Sequence, residues 1–493
     1  MPDSSPDLAK ATLRGTFWTY ASFYSGKLMV FLSTVILARL LVEEEFGVAG
    51  YATVVISFLE VLSDLGIGPA LIYHRDNPKA RITAFWLNIG IGILLFLVTF
   101  FGAPLVGSFF QDPRAVPVTR ALALVFPISA LGSIHDTLLR KELSFGRKFI
   151  PDFVKAISKG LASIILALLG FGAWSLIIGQ IVGRALSVVV LWRIMPWRPS
   201  FQFAKSLVRP LLSYGLNIVS VDALGITLNN ADYLLVGRFL GAAALGVYTV
   251  AFRFPDLLVM QFCDVISKVI FPVYARMRED PQALQRGFLT TTRYVSLVTV
   301  PMGLGMALVA RPLVLAFFTE KWIEAIPVMQ AISIYSVMLS LAYNAGDVYK
   351  AQGRPIVLTQ ISILRAIVLI PALLWAILGP GTITAVGWTH AAVAFVSGIF
   401  ELYIASRMLH TPFQTILATL RPAFVNGALM SAGVLATLTV LNTANHWAQL
   451  IASVSVGMAI YSGALWLFHR PLLQGAIETL KAAFKRKSTG AAL

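Results

Sequence analysis

Residues 82–110 read ITAFWLNIGIGILLFLVTFFGAPLVGSFF and carry no charged side chain. A helix of about 20 apolar residues crosses a hydrocarbon core of about 30 Å, so this stretch is long enough to span a membrane. Comparable stretches recur along the whole chain. The short alternating apolar and polar segments of a transmembrane β-barrel are absent from the sequence. The pattern therefore predicts an all-α polytopic membrane protein.

The composition agrees with this class of protein. The 493 residues are 57% hydrophobic and 13% charged, whereas soluble chains carry about 25% charged residues. The net charge of +16 would suggest a nucleic-acid partner in a soluble protein, but membrane proteins collect basic residues in their cytoplasmic loops. No basic run is interleaved with aromatic residues, and the histidines never recur at metal-ligand spacing. We therefore expect no nucleic-acid partner and no metal site.

The hydropathy pattern predicts about fourteen transmembrane helices. The predicted spans are residues 14–38, 46–72, 82–110, 115–139, 150–171, 173–193, 207–235, 241–275, 290–318, 323–349, 356–379, 383–409, 418–441 and 447–469. The first is expected to be an uncleaved span, because it has no cleavage site of small residues. No connection is long enough to form a soluble catalytic domain, so we expect a transporter and not an enzyme.

The basic residues of the loops predict the orientation of the chain. One side, with both termini, holds 25 Lys and Arg residues, and the other holds Arg39, Arg114, Arg238, Arg311 and Lys321. Because Lys and Arg are enriched in cytoplasmic loops, both termini are predicted to lie in the cytoplasm. The basic cluster at residues 485–487 is expected to lie near anionic lipid head groups.

Short motifs of the first half recur in the second half in the same order. The matching pairs are residues 39–48 with 238–247, 104–110 with 312–318, and 116–118 with 326–328. Each repeat holds six spans, an even number, so both copies are expected to insert with the same orientation. The repeat predicts two parallel six-helix lobes followed by two extra C-terminal helices. The alternative is chance similarity between apolar segments.

The repeat also predicts how the chain is divided. Residues 1–193 form an N-lobe of spans 1–6, residues 194–206 a cytoplasmic linker, and residues 207–409 a C-lobe of spans 7–12. Residues 410–470 contain spans 13 and 14, and residues 471–493 form a basic cytoplasmic tail.

Basic residues deep within the predicted spans indicate a binding site. A charge at the centre of a membrane helix costs about 2.5–3.5 kcal/mol, so it needs a partner or a hydrated cavity. Lys27, Arg184, Arg253 and Arg365 lie deep, and we expect them to bind an anionic group in a cavity between the lobes. Other basic residues lie near span ends, where long side chains can reach the interface. These are Arg120, Lys155, Lys159, Lys268 and Arg293.

Helical spacing places several polar residues on common faces. Tyr20, Tyr24 and Lys27 share a face of span 1, and the tyrosines are expected to stack on sugar rings. Ser57, Glu60 and Asp64 share a face of span 2. The sequence also predicts one stripe along span 8, formed by Arg253, Asp256, Met260, Asp264 and Lys268.

Acidic residues on these faces are candidates for ion coupling. We expect Glu60, Asp64 or Asp256 to carry a proton or sodium ion, because desolvation can raise the pKa of a carboxylate into the working range. The alternative is a set of structural charge pairs, such as Lys27 with Glu60. Pro255 is expected to kink span 8 beside Arg253 and Asp256.

Short stretches distributed over spans 1–12 carry a resemblance to a known family. They are LARLL at 37–41, FG at 46–47, SDLG at 63–66, RKELSF at 140–145, NAD at 230–232, VGR at 236–238, FPVYA at 271–275, EKW at 320–322 and PVMQ at 327–330. Through them the chain resembles the polysaccharide-export flippases of the multidrug/oligosaccharidyl-lipid/polysaccharide superfamily. The resemblance is strongest to the branch that serves colanic acid and succinoglycan.

The resemblance implies a fold of the MATE and MurJ type that works by alternating access between two lobes. It implies that the cargo is an oligosaccharide linked to undecaprenyl pyrophosphate, flipped across the bacterial inner membrane for exopolysaccharide or lipopolysaccharide biosynthesis. It further implies coupling to an H⁺ or Na⁺ gradient without a cofactor. The implied partners are membrane lipids and the polymerase and glycosyltransferases of the pathway.

Three other functions remain alternatives. A multidrug or metabolite exporter of the related MATE branch would favour cationic cargo, which four deep basic residues oppose. A membrane polymerase or ligase would need a large extracytoplasmic loop, and every predicted outside loop is short. A structural scaffold would not need charges at the membrane midplane.

Overall fold

The computed structural model describes residues 26–65, 67–68, 71, 78–142 and 144–470, apart from the side chains of residues 64, 145 and 210–223. These residues form helices and contain no strand. The helices up to residue 194 are α1 (26–40), α2 (Glu43–Asp64), α3 (Pro78–Phe110), α4 (Ala115–Leu122), α5 (Val125–Lys141), α6 (Phe145–Leu168) and α7 (Ala173–Ile194).

The remaining helices follow after a non-helical segment at residues 195–204. They are α8 (Lys205–Pro255), α9 (Gln261–Arg276), α10 (Pro281–Phe317), α11 (Ala325–Ala351), α12 (Pro355–Leu378), α13 (Ile383–Met408), α14 (Phe413–Val440) and α15 (His446–Phe468). A π-helical turn, Asp256–Met260, joins α8 to α9, and a 3₁₀ turn, Glu320–Trp322, precedes α11.

The predicted all-α membrane fold is confirmed, and most of the predicted spans have a counterpart among the described helices. Eleven segments of the described chain are long and apolar enough to cross a membrane. The predicted first span begins outside the described residues. Helix α6 is continuous but does not count as an apolar span, because it contains the charged residues Lys148, Asp152, Lys155 and Lys159. Predicted spans 7 and 8 count as the single segment 224–276, although the backbone breaks within it at Gly241.

Helix α8 reverses direction at Gly241. This glycine has φ +87° and ψ −175°, outside the helical region. Across the break, the Tyr248 hydroxyl donates a 2.8 Å hydrogen bond to the Asp232 carboxylate. In an uninterrupted helix these residues would lie about 24 Å apart along the axis, so the chain must fold back. The reversal separates predicted spans 7 and 8 where the sequence analysis places their boundary.

One helix begins earlier than the sequence analysis predicts. Predicted span 9 begins at residue 290, whereas α10 begins at Pro281. Asp280 is its N-cap, and the carboxylate accepts hydrogen bonds from the backbone N–H groups of Gln282 and Ala283 at 3.1 and 2.9 Å. A proline at the first helical position after an Asp N-cap is a strong start signal, which the hydropathy criterion does not detect.

The residue pattern of α3 is typical of a membrane helix that packs against protein on one face and is exposed on the other. Its exposed large side chains recur every three or four residues, which is one helical face. They are Ile93, Leu94, Leu97, Val98, Phe101, Leu105 and Phe109. Small or polar residues line the buried positions, where they allow close helix packing. These positions include Ala84, Asn88, Gly92, Thr99, Ala103 and Gly107.

The chain forms two compact units. Unit 1 comprises Met1–Val250 and Leu373–Ile383, and unit 2 comprises Ala251–Ala372 and Thr384–Leu493. Unit 1 has an apolar core that includes Phe85, Ile134 and Leu191. The core of unit 2 includes Phe288 and Leu341. The predicted lobe boundary at residues 194–206 stays a prediction.

The sequence repeat has a counterpart in the local backbone. Pro104 lies within α3 and Pro312 within α10, both near the C-terminal ends of these helices. Each helix is followed by a non-glycine residue with positive φ, Gln111 at +56° and Thr319 at +98°. These two residues are equivalent in the repeat, so the matching motifs build matching turns.

Candidate functional site

In unit 1, two of the predicted site residues pair with each other. Arg184 of α7 lies 2.5 Å from the Glu60 carboxylate of α2, measured between Nη2 and Oε1. Their side chains are 24% and 47% exposed, so the pair is accessible from one side. Arg184 was predicted to bind substrate and Glu60 to carry a coupling ion. In the structure Glu60 forms an ion pair with Arg184.

A second basic residue lies beside this pair. Lys155 of α6 interacts electrostatically with Arg184, Glu60 and Asp152. The sequence analysis assigned Lys155 to a span end, where its side chain could reach the interface. In the structure Lys155 is half-buried beside Arg184.

Two glycines bring these helices together. A Cβ atom at Gly183 of α7 would lie 2.8 Å from the Lys155 carbonyl oxygen and 2.8 Å from Lys159 Cβ. A Cβ at Gly179 would lie 2.9 Å from the Lys159 carbonyl oxygen. Gly179 and Gly183 form a small-xxx-small pattern, which lets membrane helices approach to backbone contact. Because Arg184 is the next residue after Gly183, the close packing at Gly183 places the Arg184 side chain near Lys155.

The remaining predicted residues of the N-terminal half are only partly described. Lys27 lies half-buried near the start of the described part of α1. Its neighbour Gly26 faces Ala156 of α6, since a Cβ at Gly26 would lie 3.9 Å from Ala156 Cβ. Tyr20 and Tyr24 lie outside the described residues, and so does the side chain of Asp64. Their predicted roles stay predictions.

In unit 2, Arg365 of α12 lies among aromatic side chains. Its Nη2 donates a 3.3 Å hydrogen bond to the Tyr335 hydroxyl, and its Cζ lies 5.8 Å from the centre of the Tyr335 ring. The Tyr335 ring contacts those of His390 and Phe252, with centroids 5.2 and 6.2 Å away. Glu401, only 9% exposed, interacts electrostatically with Arg365. We call these five residues the Arg365 cluster.

Arg253 and Asp256 lie at the junction of α8 and α9. Arg253 is exposed, and Asp256 begins the π turn and accepts a 3.4 Å hydrogen bond from Gln261 Nε2. The departure from α-helical geometry follows Pro255, where a kink was predicted. An i→i+5 turn holds one more residue than an α-helical turn and displaces the side chains after it around the helix. The predicted stripe from Arg253 to Lys268 is therefore not a single straight face.

Unit 2 also contains a partly buried polar contact between α9 and α11. The Tyr343 hydroxyl donates a hydrogen bond to the Asp264 carboxylate. One turn further along α11, Asp347 is 2% exposed, and its carboxylate lies 3.5 Å from Lys350 Nζ.

Sequence reasoning missed several acidic and aromatic members of these groups. Glu401 and Asp347 lie inside predicted spans 12 and 10, so counting every charge within a span would have found both. Tyr335 and Phe252 could not be found this way, because aromatic residues are common in membrane helices. Only the packing of α8, α11 and α12 reveals them.

Comparison with protein families identifies a match over much of the chain. A family model described as "Polysaccharide biosynthesis protein" matches residues 36–327, which is more than half of the sequence. The matched region covers the Glu60–Arg184 pair, Lys155 and Arg253. It ends before Arg365 and Glu401.

Two relatives match over nearly their whole length. The teichuronic acid biosynthesis protein TuaB of Bacillus subtilis is 27% identical over 98% of this chain and 99% of its own. The succinoglycan biosynthesis transport protein ExoT of Rhizobium meliloti is 24% identical over 98% of both chains. Among solved structures, the lipid II flippase MurJ in an inward closed conformation has a TM-score of 0.75 at 13% identity, covering 92% of this chain and 99% of its own. That likeness shows a shared fold.

Proposed function

Because the chain belongs to the family of polysaccharide biosynthesis proteins, within the superfamily of multidrug/oligosaccharidyl-lipid/polysaccharide flippases, we propose that it flips a lipid-linked oligosaccharide across the bacterial cytoplasmic membrane. The family is one of transporters and not of enzymes. The proposed lipid is undecaprenyl pyrophosphate, the proposed cycle is alternating access, and the product serves polysaccharide assembly.

The Arg365 cluster supports an anionic, sugar-bearing cargo most directly. A pyrophosphate carries at least two negative charges, which need fixed cations on their way through a medium of low dielectric constant. Arginine offers five N–H donors in a planar fork that matches phosphate oxygens. Arg365 uses one of them on Tyr335, and its buried Nε has no hydrogen-bond partner among the residues that the structure describes. The cluster therefore combines available donors with aromatic rings that suit a sugar.

The proposal assigns the basic residues Lys27, Arg184, Arg253 and Arg365 to the pyrophosphate, and Tyr20 and Tyr24 to the sugars. The test uses proteoliposomes with an undecaprenyl-pyrophosphate-linked oligosaccharide, whose translocation exposes the glycan to an added glycosidase. We expect Arg253→Ala and Arg365→Ala to reduce translocation at least tenfold. The matched control is Arg407→Ala, because Arg407 is an exposed residue at the end of α13 in the same unit.

The outcome separates this function from drug export. If the wild-type protein leaves the glycan inaccessible but moves ethidium across the bilayer, the chain is a drug exporter of the related branch. If Arg365→Ala and Arg407→Ala translocate equally well, Arg365 has no part in binding the cargo.

Orientation in the inner membrane is part of the same proposal. The loop charges support cytoplasmic termini. Single cysteines next to Glu44, Asp112 and Asn442 should react with an impermeant thiol reagent in whole cells, whereas those next to Lys79, Lys205 and Lys487 should not. The only native cysteine, Cys263, is buried and should give a low background. Labelling next to Lys205 from outside would reverse the proposed topology.

Ion coupling completes the proposed cycle. Glu60, Asp64 and Asp256 are the proposed carriers of a proton or sodium ion. Translocation in proteoliposomes should then respond to an imposed pH or sodium gradient, and the triple Glu60→Gln, Asp64→Asn, Asp256→Asn variant should lose this response. Equal rates with and without both gradients would exclude coupling to these two ions.

A further inference from the structure

Four helices of unit 1 meet around Lys155. Helix α7 contacts it through Gly183, which faces the Lys155 carbonyl oxygen, and α2 contributes Glu60. Helix α1 approaches α6 at Ala156 and again at Gly160, where a Cβ would lie 3.1 Å from Ser33 Cβ. The close contacts of α6 with α1 and α7 therefore place Lys155 where neighbouring helices meet.

The charges at this meeting point do not cancel. Lower on α6, Lys148 forms ion pairs with Asp136 and Asp152, and Asp136 also pairs with Arg140 at 2.7 Å. In that group two basic residues, Arg140 and Lys148, are balanced by two acidic residues, Asp136 and Asp152. Lys155 and Arg184, in contrast, both interact with Glu60, and Asp152 is the only other acid among the described residues that is found to act on Lys155. Within this group of seven residues, cations exceed carboxylates by one.

Lys155 is the residue that shows the excess most clearly. Its ammonium has no ion pair or hydrogen bond among the residues that the structure describes, although Arg184 beside it has Glu60. Two neighbouring cations repel each other, and a partly buried cation is costly without a counter-ion. An added anion with two or more charges would relieve both effects.

Glu60 is placed to be exchanged for such an anion. It is nearly half exposed, and its bond to Arg184 is a single contact through Nη2. Because the pair is partly exposed and rests on one contact, a ligand that offers Arg184 more contacts can displace the carboxylate. A phosphate can engage the arginine fork through two oxygens and the lysine through a third.

We propose that Lys155 and Arg184 form a phosphate-binding site in unit 1, in which Glu60 is a displaceable counter-ion that leaves Arg184 when the phosphate group binds. This proposal rests on the proposed function. It adds Lys155 to the residues that bind the phosphate, and it makes Glu60 a competitor of the phosphate for Arg184. The ligand is the pyrophosphate of the lipid carrier, and the carboxylate restores charge balance after the ligand has left.

The test measures binding of farnesyl pyrophosphate to the purified full-length protein in detergent by isothermal titration calorimetry. Lys155→Gln and Arg184→Gln should each weaken binding about tenfold, whereas Glu60→Gln should tighten it several-fold because the competitor is gone. Lys148→Gln is the matched control on the same helix, since Lys148 is already neutralised by two aspartates. Its affinity should equal that of the wild type.

The Glu60 variant distinguishes ligand binding from a structural role. If the pair only holds α2 to α7, Glu60→Gln lowers the melting temperature and weakens binding or leaves it unchanged, and the proposal is wrong. Equal affinity in Lys155→Gln and the wild type would also overturn it. If Lys155→Gln does not fold, the Lys155→Arg variant replaces it. Lys155→Arg keeps the positive charge and should keep most of the affinity. A folded Lys155→Arg protein that does not bind farnesyl pyrophosphate would reject the site.

Two further arms identify the source of the phosphate. Inorganic pyrophosphate should compete with farnesyl pyrophosphate, whereas nanodiscs containing phosphatidylglycerol should not. Competition by phosphatidylglycerol alone would assign the site to membrane lipid and reject the proposal. Normal glycan translocation by a Lys155→Gln variant with unchanged affinity would reject this site while leaving the flippase function intact. Absence of translocation by the wild type would instead reject the function.

Discussion

Gly47 of α2 lies directly against the backbone of Ala242, just after the reversal in α8. A Cβ atom on Gly47 would overlap the carbonyl oxygen of Ala242. The reciprocal contact is also present, because a Cβ on Gly246 would overlap the carbonyl oxygen of Glu43. In the sequence repeat, Gly47 is equivalent to Gly246 and Glu43 to Ala242. The two copies of one motif thus pack against each other by exchanging equivalent contacts, as at an isologous interface.

This packing predicts a strong effect of a single methyl group. Gly47→Ala should destabilise the folded protein by about 1–3 kcal/mol or more, because the obstacle is backbone and cannot move aside as a side chain can. Gly246→Ala should have a similar effect. The melting temperature of the purified protein in detergent measures both. Gly90→Ala is the control, since a Cβ at this exposed position of α3 meets nothing within 4 Å. Equal melting of Gly47→Ala and Gly90→Ala would contradict the contact.

The hairpin in α8 predicts a role for one hydroxyl group. Tyr248 and Asp232 are both buried, and Tyr248→Phe removes the hydrogen bond between them while keeping the ring. Loss of one partner of a buried hydrogen bond costs about 1–3 kcal/mol. We expect a lower melting temperature for Tyr248→Phe and no change for Tyr403→Phe, because Tyr403 is exposed on α13. Identical stability of the two variants would show that the hydroxyl does not hold the hairpin.

An ion-pair network in the loop after α3 predicts a pH dependence. Arg114 donates hydrogen bonds to Asp112, from Nε at 3.0 Å and from Nη2 at 2.8 Å, and contacts Glu44 at 2.8 Å. The hydrogen bond from Arg114 holds the pKa of the Asp112 carboxyl below its ordinary value. Such a group stabilises the fold above its unfolded pKa, about 3.9, and this stabilisation is lost as the pH falls through the lower folded value.

Asp112→Asn should therefore lower stability at pH 7 by about 0.2–1 kcal/mol, a small amount because Arg114 is half exposed. The difference from the wild type should begin to shrink as the pH falls below about 4, where the carboxyl of the unfolded chain becomes protonated, and should vanish once the pH has passed the lower pKa of the folded state. Melting curves over a pH series measure this. Glu279→Gln, at an exposed position elsewhere in the chain, should show no such trend. A constant difference at all pH values would mean that ionisation of Asp112 is not involved.

The Arg365 cluster predicts different effects for two substitutions of Tyr335. Tyr335→Phe loses only a 3.3 Å hydrogen bond and keeps the ring under Arg365, so translocation should fall less than about threefold. Tyr335→Leu removes the ring as well and should reduce translocation about tenfold. Tyr403→Leu is the control for loss of an exposed tyrosine. Equal activity of Tyr335→Phe and Tyr335→Leu would show that the ring does not orient Arg365.

The membrane class and most of the apolar spans could be predicted from the sequence, because a membrane requires long continuous apolar segments and apolar length is a local property. The repeat was available for the same reason. Residues 39–48 and 238–247 can be aligned directly in the sequence. The same alignment makes Gln111 and Thr319 equivalent, and both have positive φ in the structure. Lys27, Arg184, Arg253 and Arg365 could be selected as unusual, because a charge within an apolar stretch is conspicuous without any structure.

Which charges meet was decided only by the tertiary structure. Glu60 pairs with Arg184, 124 residues away, and Lys155 joins them because Gly179 and Gly183 let α7 approach the backbone of α6. Spacing along one helix gives the face of a residue but not the helix that covers this face. The stripe on span 8 shows the same limit, since a π turn after Pro255 changes the register that a regular helix would keep. Contacts between membrane helices depend on close packing at small residues. A single sequence shows where the small residues are, but it does not show which helix packs against them.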